Sequence, residues 1–359
     1  MRLELSENLL AEFVMSVDKI FSRPKQVCIT GDAGRIIFFV AQDSQQVSFS
    51  VETETKDFEI AVEAPKFISA VKQMYVDSAT LNFKPKSVVL EYGDVKATLP
   101  FQTPKTSWFQ QGYQPFVLPD KFLTGLTHTQ FVPDNDLRFT GILIDPVEDG
   151  SIIARFNGAA LAFTKIKTKF NARLVISPNL AKVAKTKIEF DQFLLSDRGF
   201  GLRSPTGVDI TSTLLEDSYP QDYLPTLGLG LAGALIDPQS FESCYMFDVL
   251  ELKHTVGLVS SVVGEDEQGL QFTPEGQEEE TGALVWVLAS KSYAGLHVRE
   301  RLRSTGELRS EPRSFKLHKK TLLKALNDYS ESIYLIDREN AILLSDMSGN
   351  SVTVLTKLG

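Results

Sequence analysis

Apolar residues follow strand-like and helix-like spacings along the chain, and the same order of spacings occurs three times. In the first third, Leu3 and Leu5 alternate as in a strand, and residues 9–20 place apolar side chains on one helical face. Strand-like runs, a second helix and further strands follow. The middle and last thirds repeat this order, with first helices predicted from Pro119 and over residues 248–263. Because the strands cluster at hairpin-length connections, we predict an α+β fold with antiparallel sheets.

The repetition divides the chain into three modules of similar size. We predict domains over residues 1–115, 116–237 and 238–359, each with two helices packed on sheets. A chain of 359 residues with 43% hydrophobic and 23% charged residues is typical of two or three globular domains.

Each module carries a second helix that contains lysine but no Asp or Glu. The windows 65–75, 177–187 and 316–327 hold nine lysines, in a chain with 46 acids, 37 bases and a net charge of -9. Each window also has an apolar stripe at helical spacing. One such helix alone is an ordinary solvated face, but its recurrence indicates a localised surface for a polyanion. The predicted contacts are Lys66, Lys72, Lys182, Lys185, Lys187, Lys319, Lys320 and Lys324.

Cysteine and histidine usage indicates neither a metal site nor a disulfide framework. Cys28 and Cys244 are far apart, in apolar settings, and are predicted to be buried reduced thiols. The histidines have no metal-ligand spacing and no neighbouring nucleophile, so we expect them on helix surfaces. They are His128, His254, His297 and His318. We predict no cofactor, no metal and no catalytic site.

Two local motifs remain. Residues 228–233 match G-x-G-x-x-G, but prolines on both sides leave little room for the strand and helix of a dinucleotide site, so a linker is favoured. Residues 164–169 place three lysines on one side of a possible strand. This pattern predicts either a further basic stripe or a protected edge strand, and we favour the edge strand slightly.

The N-terminal segment has charges where a signal peptide needs an apolar run. No stretch approaches the roughly 18 apolar residues of a membrane span. We therefore expect a cytoplasmic protein.

Several strings, spread in order over essentially the whole chain, resemble the bacterial DNA polymerase sliding clamp, the beta subunit of the replicative polymerase. Met1-Arg2-Leu3, the helix start at 7–10 and Arg23-Pro24 resemble the clamp's opening. Residues 156–162, F-N-G-A-A-L-A, resemble its T-D-G-H-R-L-A segment.

Two further strings extend this resemblance. Residues 214–223, L-L-E-D-S-Y-P-Q-D-Y, resemble the clamp's L-I-E-G-x-F-P-D-Y segment with one inserted residue, which is the most specific of these matches. Residues 343–346 and 352–358 resemble its closing strands. The chain departs from the family at Ala159-Ala160, where the family has His-Arg, and at 355–359, L-T-K-L-G, which replaces M-P-M-R-L. These departures suggest a divergent or virus-encoded clamp.

The resemblance implies a ring of two chains joined head to tail, or of three chains in a departing lineage. The lysine helices would face duplex DNA without reading its sequence, with Arg23 as a further contact. A clamp does no chemistry. It encircles DNA and tethers the replicative polymerase, so that rebinding becomes intramolecular.

The resemblance also implies a pocket between the second and third domains, which captures short hydrophobic peptides of the polymerase and the clamp loader. Its predicted lining is Gly158, Leu161, Pro220, Val352, Val354 and Lys357. Two other classes of function remain open: a nucleotide-binding enzyme that uses residues 228–233, and a structural repeat protein without a nucleic-acid partner.

Overall fold

The computed structural model confirms the repeated order of elements. It describes residues 1–32, 34–107, 112–132, 141–156, 160–219, 244–263, 269–278, 282–291, 296–303, 313–338 and 341–358. Within these ranges the order βαββββαβββ occurs three times, starting at Arg2, Gln114 and Cys244. The predicted α+β class with antiparallel sheets is therefore confirmed, whereas the domain boundaries stay predictions.

The bounds of the elements follow the three repeats. The first repeat contains β1 (Arg2–Ser6), α1 (Glu7–Ile20), β2 (Gln26–Asp32), β3 (Arg35–Gln42), β4 (Gln45–Glu52), β5 (Phe58–Glu63), α2 (Ala64–Lys72), β6 (Ser78–Phe83), β7 (Ser87–Tyr92) and β8 (Val95–Pro100). The second contains β9 (Gln114–Val117), α3 (Phe122–His128) with a 3-10 turn (Thr129–Phe131), β10 (Ile142–Val147), β11 (Gly150–Phe156), β12 (Ala160–Ile166), β13 (Leu174–Ile176), α4 (Asn179–Ala184), β14 (Gln192–Leu195), β15 (Gly199–Arg203) and β16 (Asp209–Thr213). The third contains β17 (Cys244–Asp248), α5 (Val249–Val263), β18 (Gly269–Glu278), β19 (Gly282–Lys291), β20 (Leu296–Arg303), β21 (Phe315–His318), α6 (Lys319–Leu326), β22 (Ser332–Asp337), β23 (Ala341–Asp346) and β24 (Ser351–Thr356).

Local chemistry explains why α1 forms where it does. The Ser6 hydroxyl accepts a hydrogen bond from the Leu9 backbone N–H at 3.3 Å, which satisfies one of the free donors at the helix start. The buried face of α1 carries Phe13, whose ring meets Phe49 of β4 and Phe67 of α2 edge-on, at centroid distances of 5.0 and 6.4 Å. These contacts pack both helices of the first repeat on its sheet.

The chain forms two compact units. The first contains residues 1–118 and 176–215, and the second contains residues 119–175 and 216–359. The first unit has a four-stranded sheet, β1-β6-β7-β8, and an eight-stranded sheet, β5-β2-β3-β4-β16-β15-β14-β9. The second has an eight-stranded sheet, β13-β10-β11-β12-β24-β23-β22-β17, and a four-stranded sheet, β20-β19-β18-β21.

Each eight-stranded sheet is built from half-sheets of two successive repeats. The same pairing of strands joins the two halves in both sheets. In the first unit β4 pairs antiparallel with β16, with Val47 opposite Ile210. In the second unit β12 pairs antiparallel with β24, with Leu161 opposite Val354. In both cases the fourth strand of one repeat pairs with the eighth strand of the next. The corresponding strands β20 and β8 are the outer strands of the four-stranded sheets within the described ranges.

The edge-strand interpretation of residues 164–169 is wrong. β12 lies between β11 and β24, because the strand that covers it comes from the distant C-terminal segment. Lys165 is buried, and its Nζ lies 2.8 Å from Asp149 Oδ2. Lys167 and Lys169 follow the strand and are exposed.

The expected helix-surface position of His128 is also wrong, because the residue lies in a buried polar network. Its Nδ1 is 3.0 Å from Thr164 Oγ1 and its Nε2 is 2.8 Å from Thr353 Oγ1. The Tyr329 hydroxyl lies 3.3 Å from the same Nε2 and donates to the Leu344 carbonyl at 3.0 Å. Buried polar groups need such partners, and here they link the second and third repeats across the β12–β24 seam. In contrast, His254 is exposed on α5.

The cysteines are free thiols, Cys28 buried and Cys244 half-buried. Burial raises the pKa of the Cys28 thiol, whose Sγ lies 3.4 Å from Thr106 Oγ1. Among the helices of the described ranges, none is long and apolar enough to cross a membrane. The same ranges contain no group of three His, Cys, Asp or Glu residues that could hold a metal ion.

Candidate nucleic-acid interface and partner pocket

The first lysine helix, α2, has a proline in its first turn, where a missing N–H has no cost, and buries Phe67 and Val71. Lys66 and Lys72 lie on its exposed side. The Lys66 Nζ is 2.8 Å from Glu63 Oε2, and Lys72 forms an ion pair with Asp18 of α1. Exposed pairs of this kind contribute less than about 1 kcal/mol, so they leave both lysines able to exchange a carboxylate for a phosphate.

The second lysine helix, α4, is short, and its start is fixed by side-chain hydrogen bonds. The Ser177 hydroxyl accepts from the Asn179 backbone N–H at 3.3 Å, and the Asn179 side-chain amide donates to Gln45 Oε1 at 2.9 Å. Its inner face carries the buried residues Leu180, Ala181 and Val183. Lys182, Lys185 and Lys187 are exposed.

On the third lysine helix, α6, one of the predicted DNA contacts needs correction. Lys320 and Lys324 are exposed, but Lys319 retains only 5% of its accessible surface. Lys319 precedes the buried Leu322 by three residues and therefore shares its inward face. A phosphate outside the helix cannot reach it, so Lys319 leaves the predicted DNA-contact set.

Arg23 lies exposed beside α1 and α2, in a groove of about 850 Å³. Lys25 and Lys72 also line this groove, and so do the acids Asp18 and Glu63. Three bases against two acids leave the groove only weakly positive. Asp18 of α1 therefore lies beside one of the predicted DNA contacts, Lys72.

The predicted peptide pocket requires a correction as well. Leu161, Val352 and Val354 retain 0%, 0% and 1% of their accessible surface, because β12 and β24 are interior strands of one sheet. They form the core of the seam and cannot line an open pocket. Gly158 and Pro220 lie outside the described residues.

The accessible residues near the predicted pocket lie at one end of the same seam. Phe156 is opposite Leu161, and Ala160 is opposite Leu355, so Phe156 and Thr356 approach the same end of neighbouring strands. Phe156 is half-buried and Thr356 is exposed. Lys357 follows, with its Nζ 2.5 Å from Asp337 Oδ1.

The segment that leads into Pro220 is held by Arg173, which sequence reasoning did not identify. The Arg173 Nε lies 2.7 Å from Asp217 Oδ2, and its guanidinium donates to the Tyr219 carbonyl at 3.1 Å. The Tyr219 hydroxyl donates to the Gly141 carbonyl at 2.6 Å. Burial raises the pKa of Tyr219 to about 12, so this hydroxyl stays a donor at neutral pH. No local spacing in the sequence connects Arg173 with Asp217.

We expect Arg173→Gln to destabilise the second unit by about 2 kcal/mol, because it removes the charged partner of Asp217 and the donor to the Tyr219 carbonyl. Chemical denaturation would measure the loss, and hydrogen exchange should show its largest increase at the Tyr219 amide. Arg198→Gln, on an exposed side chain, is the matched control and should change neither measurement. Equal stability of the two variants would contradict the anchoring role.

The burial of Val354 in the core leads to a prediction about folding. A charge at this position would lie inside the sheet without a partner, so Val354→Asp should prevent folding. The milder Val354→Ala should lower the free energy of unfolding by about 2 kcal/mol through the cavity that it leaves. Circular dichroism and thermal melting would detect whether Val354→Asp folds. A folded, stable Val354→Asp protein would show that this residue is accessible and is not part of the core.

By sequence, no protein-family model matches the chain, and no curated protein matches it either. Solved structures, however, match it over its full length. The DNA polymerase III subunit beta from Pseudomonas aeruginosa has a TM-score of 0.78 at 15% identity, and the match covers 100% of both chains. This chain has the sliding-clamp fold.

Two further structures agree with this result. The DNA polymerase III subunit beta sliding clamp from Bartonella birtlesii has a TM-score of 0.77 at 17% identity, and the match covers 100% of this chain and 99% of that chain. The DNA polymerase III beta subunit from Thermotoga maritima has a TM-score of 0.76 at 13% identity, with the same coverage. The fold implied by the sequence resemblance is confirmed despite this low identity.

Proposed function

We propose that this chain is a DNA sliding clamp, a processivity factor that encircles duplex DNA and tethers a replicative polymerase without catalysis. The observation that carries the proposal is the full-length match to sliding-clamp structures by a chain with three identical orders of elements. Fold alone does not determine function, so the proposal also uses the free strand edges and the lysine helices of this chain.

Ring closure follows from the pairing rule of the two internal seams. The fourth strand of a repeat pairs with the eighth strand of the next repeat, as β4 does with β16 and β12 with β24. Applied to the two remaining strands, the rule pairs β20 of one copy with β8 of a second copy. Strand edges are templates for such pairing. Two copies then close a head-to-tail ring of six repeats, which we prefer over a trimer.

The helices support the same assembly. At the first seam α1 packs against α4, and at the second the 3-10 turn after α3 packs against α6. The same arrangement between copies places α5 against α2 of the second copy. Leu258 on α5 is 42% exposed, whereas Ser16, at the corresponding position of α1, is buried. An apolar side chain at a position that is covered in α1 fits the proposed contact between copies.

The DNA contacts in this proposal are the exposed bases of the second helices, with Arg23 as a lesser contact. They are Lys66, Lys72, Lys182, Lys185, Lys187, Lys320 and Lys324. Flexible ammonium groups meet phosphates without reading bases, so every register on the duplex has nearly the same energy and the ring can slide.

The partner site in this proposal lies at the open end of the β12–β24 seam. Phe156, Thr356, Lys357 and the exposed Leu358 contribute to it, and Gly158 and Pro220 remain predicted members. The accessible apolar side chains of Phe156 and Leu358 suit short hydrophobic peptides of a polymerase or a clamp loader.

Topological retention on DNA tests the proposed function. Protomers dissociated by dilution are reassembled in the presence of nicked circular DNA and then washed with high salt. Encirclement predicts retention on the circle and release after a single restriction cut, because the ring slides off a free end. Loss of the protein from intact circles at the same rate as from linear DNA would refute encirclement.

A further inference from the structure

The last residues of the described chain are held by two contacts to other elements. After β24 ends at Thr356, the Leu358 backbone N–H donates to the Lys316 carbonyl of β21 at 2.8 Å. The Lys357 ammonium reaches Asp337 Oδ1 at 2.5 Å. Asp337 is the last residue of β22, and the strand order β24-β23-β22 places β23 between these two residues. The tail is therefore fastened to two sheets of the second unit.

The ion pair lies mostly out of water. The Asp337 side chain is 6% exposed and that of Lys357 is 19% exposed. Burial, followed by the negative charge of Asp337, raises the pKa of the buried Tyr245. An ion pair this desolvated fixes geometry far better than an exposed one, because either partner alone would remain as a buried charge.

The fastened tail carries an accessible apolar side chain. Leu358 is 36% exposed, although its backbone is fixed by the Lys316 carbonyl. A side chain presented from a fixed backbone loses little entropy when a ligand covers it. An unfastened segment after β24 would have to be ordered by each binding event.

We infer that Asp337 is a positioning residue for partner binding: through Lys357 it holds the C-terminal tail, and thereby Leu358, in the geometry that a hydrophobic peptide meets. This inference rests on the proposed function, and it adds a residue from β22 that none of the sequence patterns identified. The occupant is a short peptide with bulky apolar side chains, since Lys357, the cation of the tail, is already paired internally.

The test uses the full chain and Asp337→Asn, which removes the charge but keeps the side-chain shape. A panel of fluorescein-labelled decapeptides, each with two adjacent Leu or Phe residues, is screened against the wild type by fluorescence anisotropy. The tightest binder is then titrated into the variants. We expect Asp337→Asn to raise its Kd about tenfold, to accelerate hydrogen exchange at the Leu358 amide and to leave the β22–β23 amides protected. Lys357→Met should have the same effects on the Kd and on Leu358 exchange. The double variant should not raise the Kd further than either single variant does.

Two controls separate positioning from stability. Lys357→Arg keeps the charge and should retain most of the affinity, and Asp32→Asn removes an exposed ion pair of the first unit and should have no effect. A wild-type Kd and unchanged Leu358 exchange in Asp337→Asn would overturn the inference, and so would a loss of binding accompanied by exchange throughout the sheet. If no peptide binds the wild type, the proposed partner site fails. Leu358 exchange in Asp337→Asn then still decides whether the ion pair holds the tail.

Discussion

Replacing Leu258 with glutamate is expected to turn the proposed dimer into a monomer at micromolar concentration. The side chain is 42% exposed on α5, so the substitution leaves the fold of the protomer unchanged. In the proposed ring it faces α2 of the second copy, where the substitution replaces an apolar contact with a carboxylate that loses its hydration. Loss of an interface anchor with insertion of a charge should raise the dimer Kd on the order of 100-fold. Native mass spectrometry over a dilution series measures the change.

Met347→Glu is the matched control for this prediction. Met347 is also exposed, at 46%, and the substitution makes the same change of charge, but it lies in the turn between β23 and β24, which belongs to neither outer strand, β8 or β20. It should remain dimeric. Equal dissociation of both variants would indicate a general charge effect, and dimers in both would exclude α5 from the interface.

A second variant examines the strand edge itself. The register of the β7–β8 hairpin and the bond from the Phe101 N–H to the Lys86 carbonyl direct the Thr98 N–H away from β7, toward the free edge. Thr98→Pro removes that donor without breaking the hairpin, since proline is tolerated on the outer side of an edge strand. We expect a folded monomer, with Thr98→Ala still dimeric. A dimeric Thr98→Pro protein would show that copies do not join through β8.

The sequence was most informative where structure depends on nearby residues. Alternation and helical spacing predicted the repeated succession of a first helix, strands, a second helix and closing strands, because each element buries its own periodic face. The sequence was less informative about which side of a short helix faces the core. Lys319 was assigned to solvent with its lysine neighbours, although its distance of three residues from Leu322 places it on the inner face.

What could not be predicted depends on which distant strands pair. The three hydrogen-bonding partners of His128 named above lie 36, 225 and 201 residues away, so its burial depends on the β12–β24 seam and on the segment that carries Tyr329. The same seam converts Leu161 and Val354 from predicted pocket residues into core. The string resemblance named residues of this seam as pocket lining, but which side chains at its end are accessible is set by strand register.

Charge reversal of Lys72, Lys182 and Lys320 together is expected to remove most of the DNA affinity. These lysines are exposed on the three second helices, one in each repeat, so the triple variant changes six positions in a dimeric ring. Each lost phosphate contact should lower the slope of log affinity against log salt by about one unit. Binding to nicked circular DNA over a salt series measures affinity and slope, and the melting temperature verifies that the domains stay folded.

The control for this variant carries the same charge change elsewhere. Lys56, Lys84 and Lys86 are exposed in the first unit but lie on none of the lysine helices. Their triple replacement by glutamate lowers the net charge equally and should reduce DNA binding only through the weak, screened field of the whole protein. Asp18→Asn provides the opposite test: it frees Lys72 from its ion pair and should strengthen binding slightly. Equal losses in the two triple variants would mean that DNA responds to net charge alone, and the lysine helices would then have no assigned role.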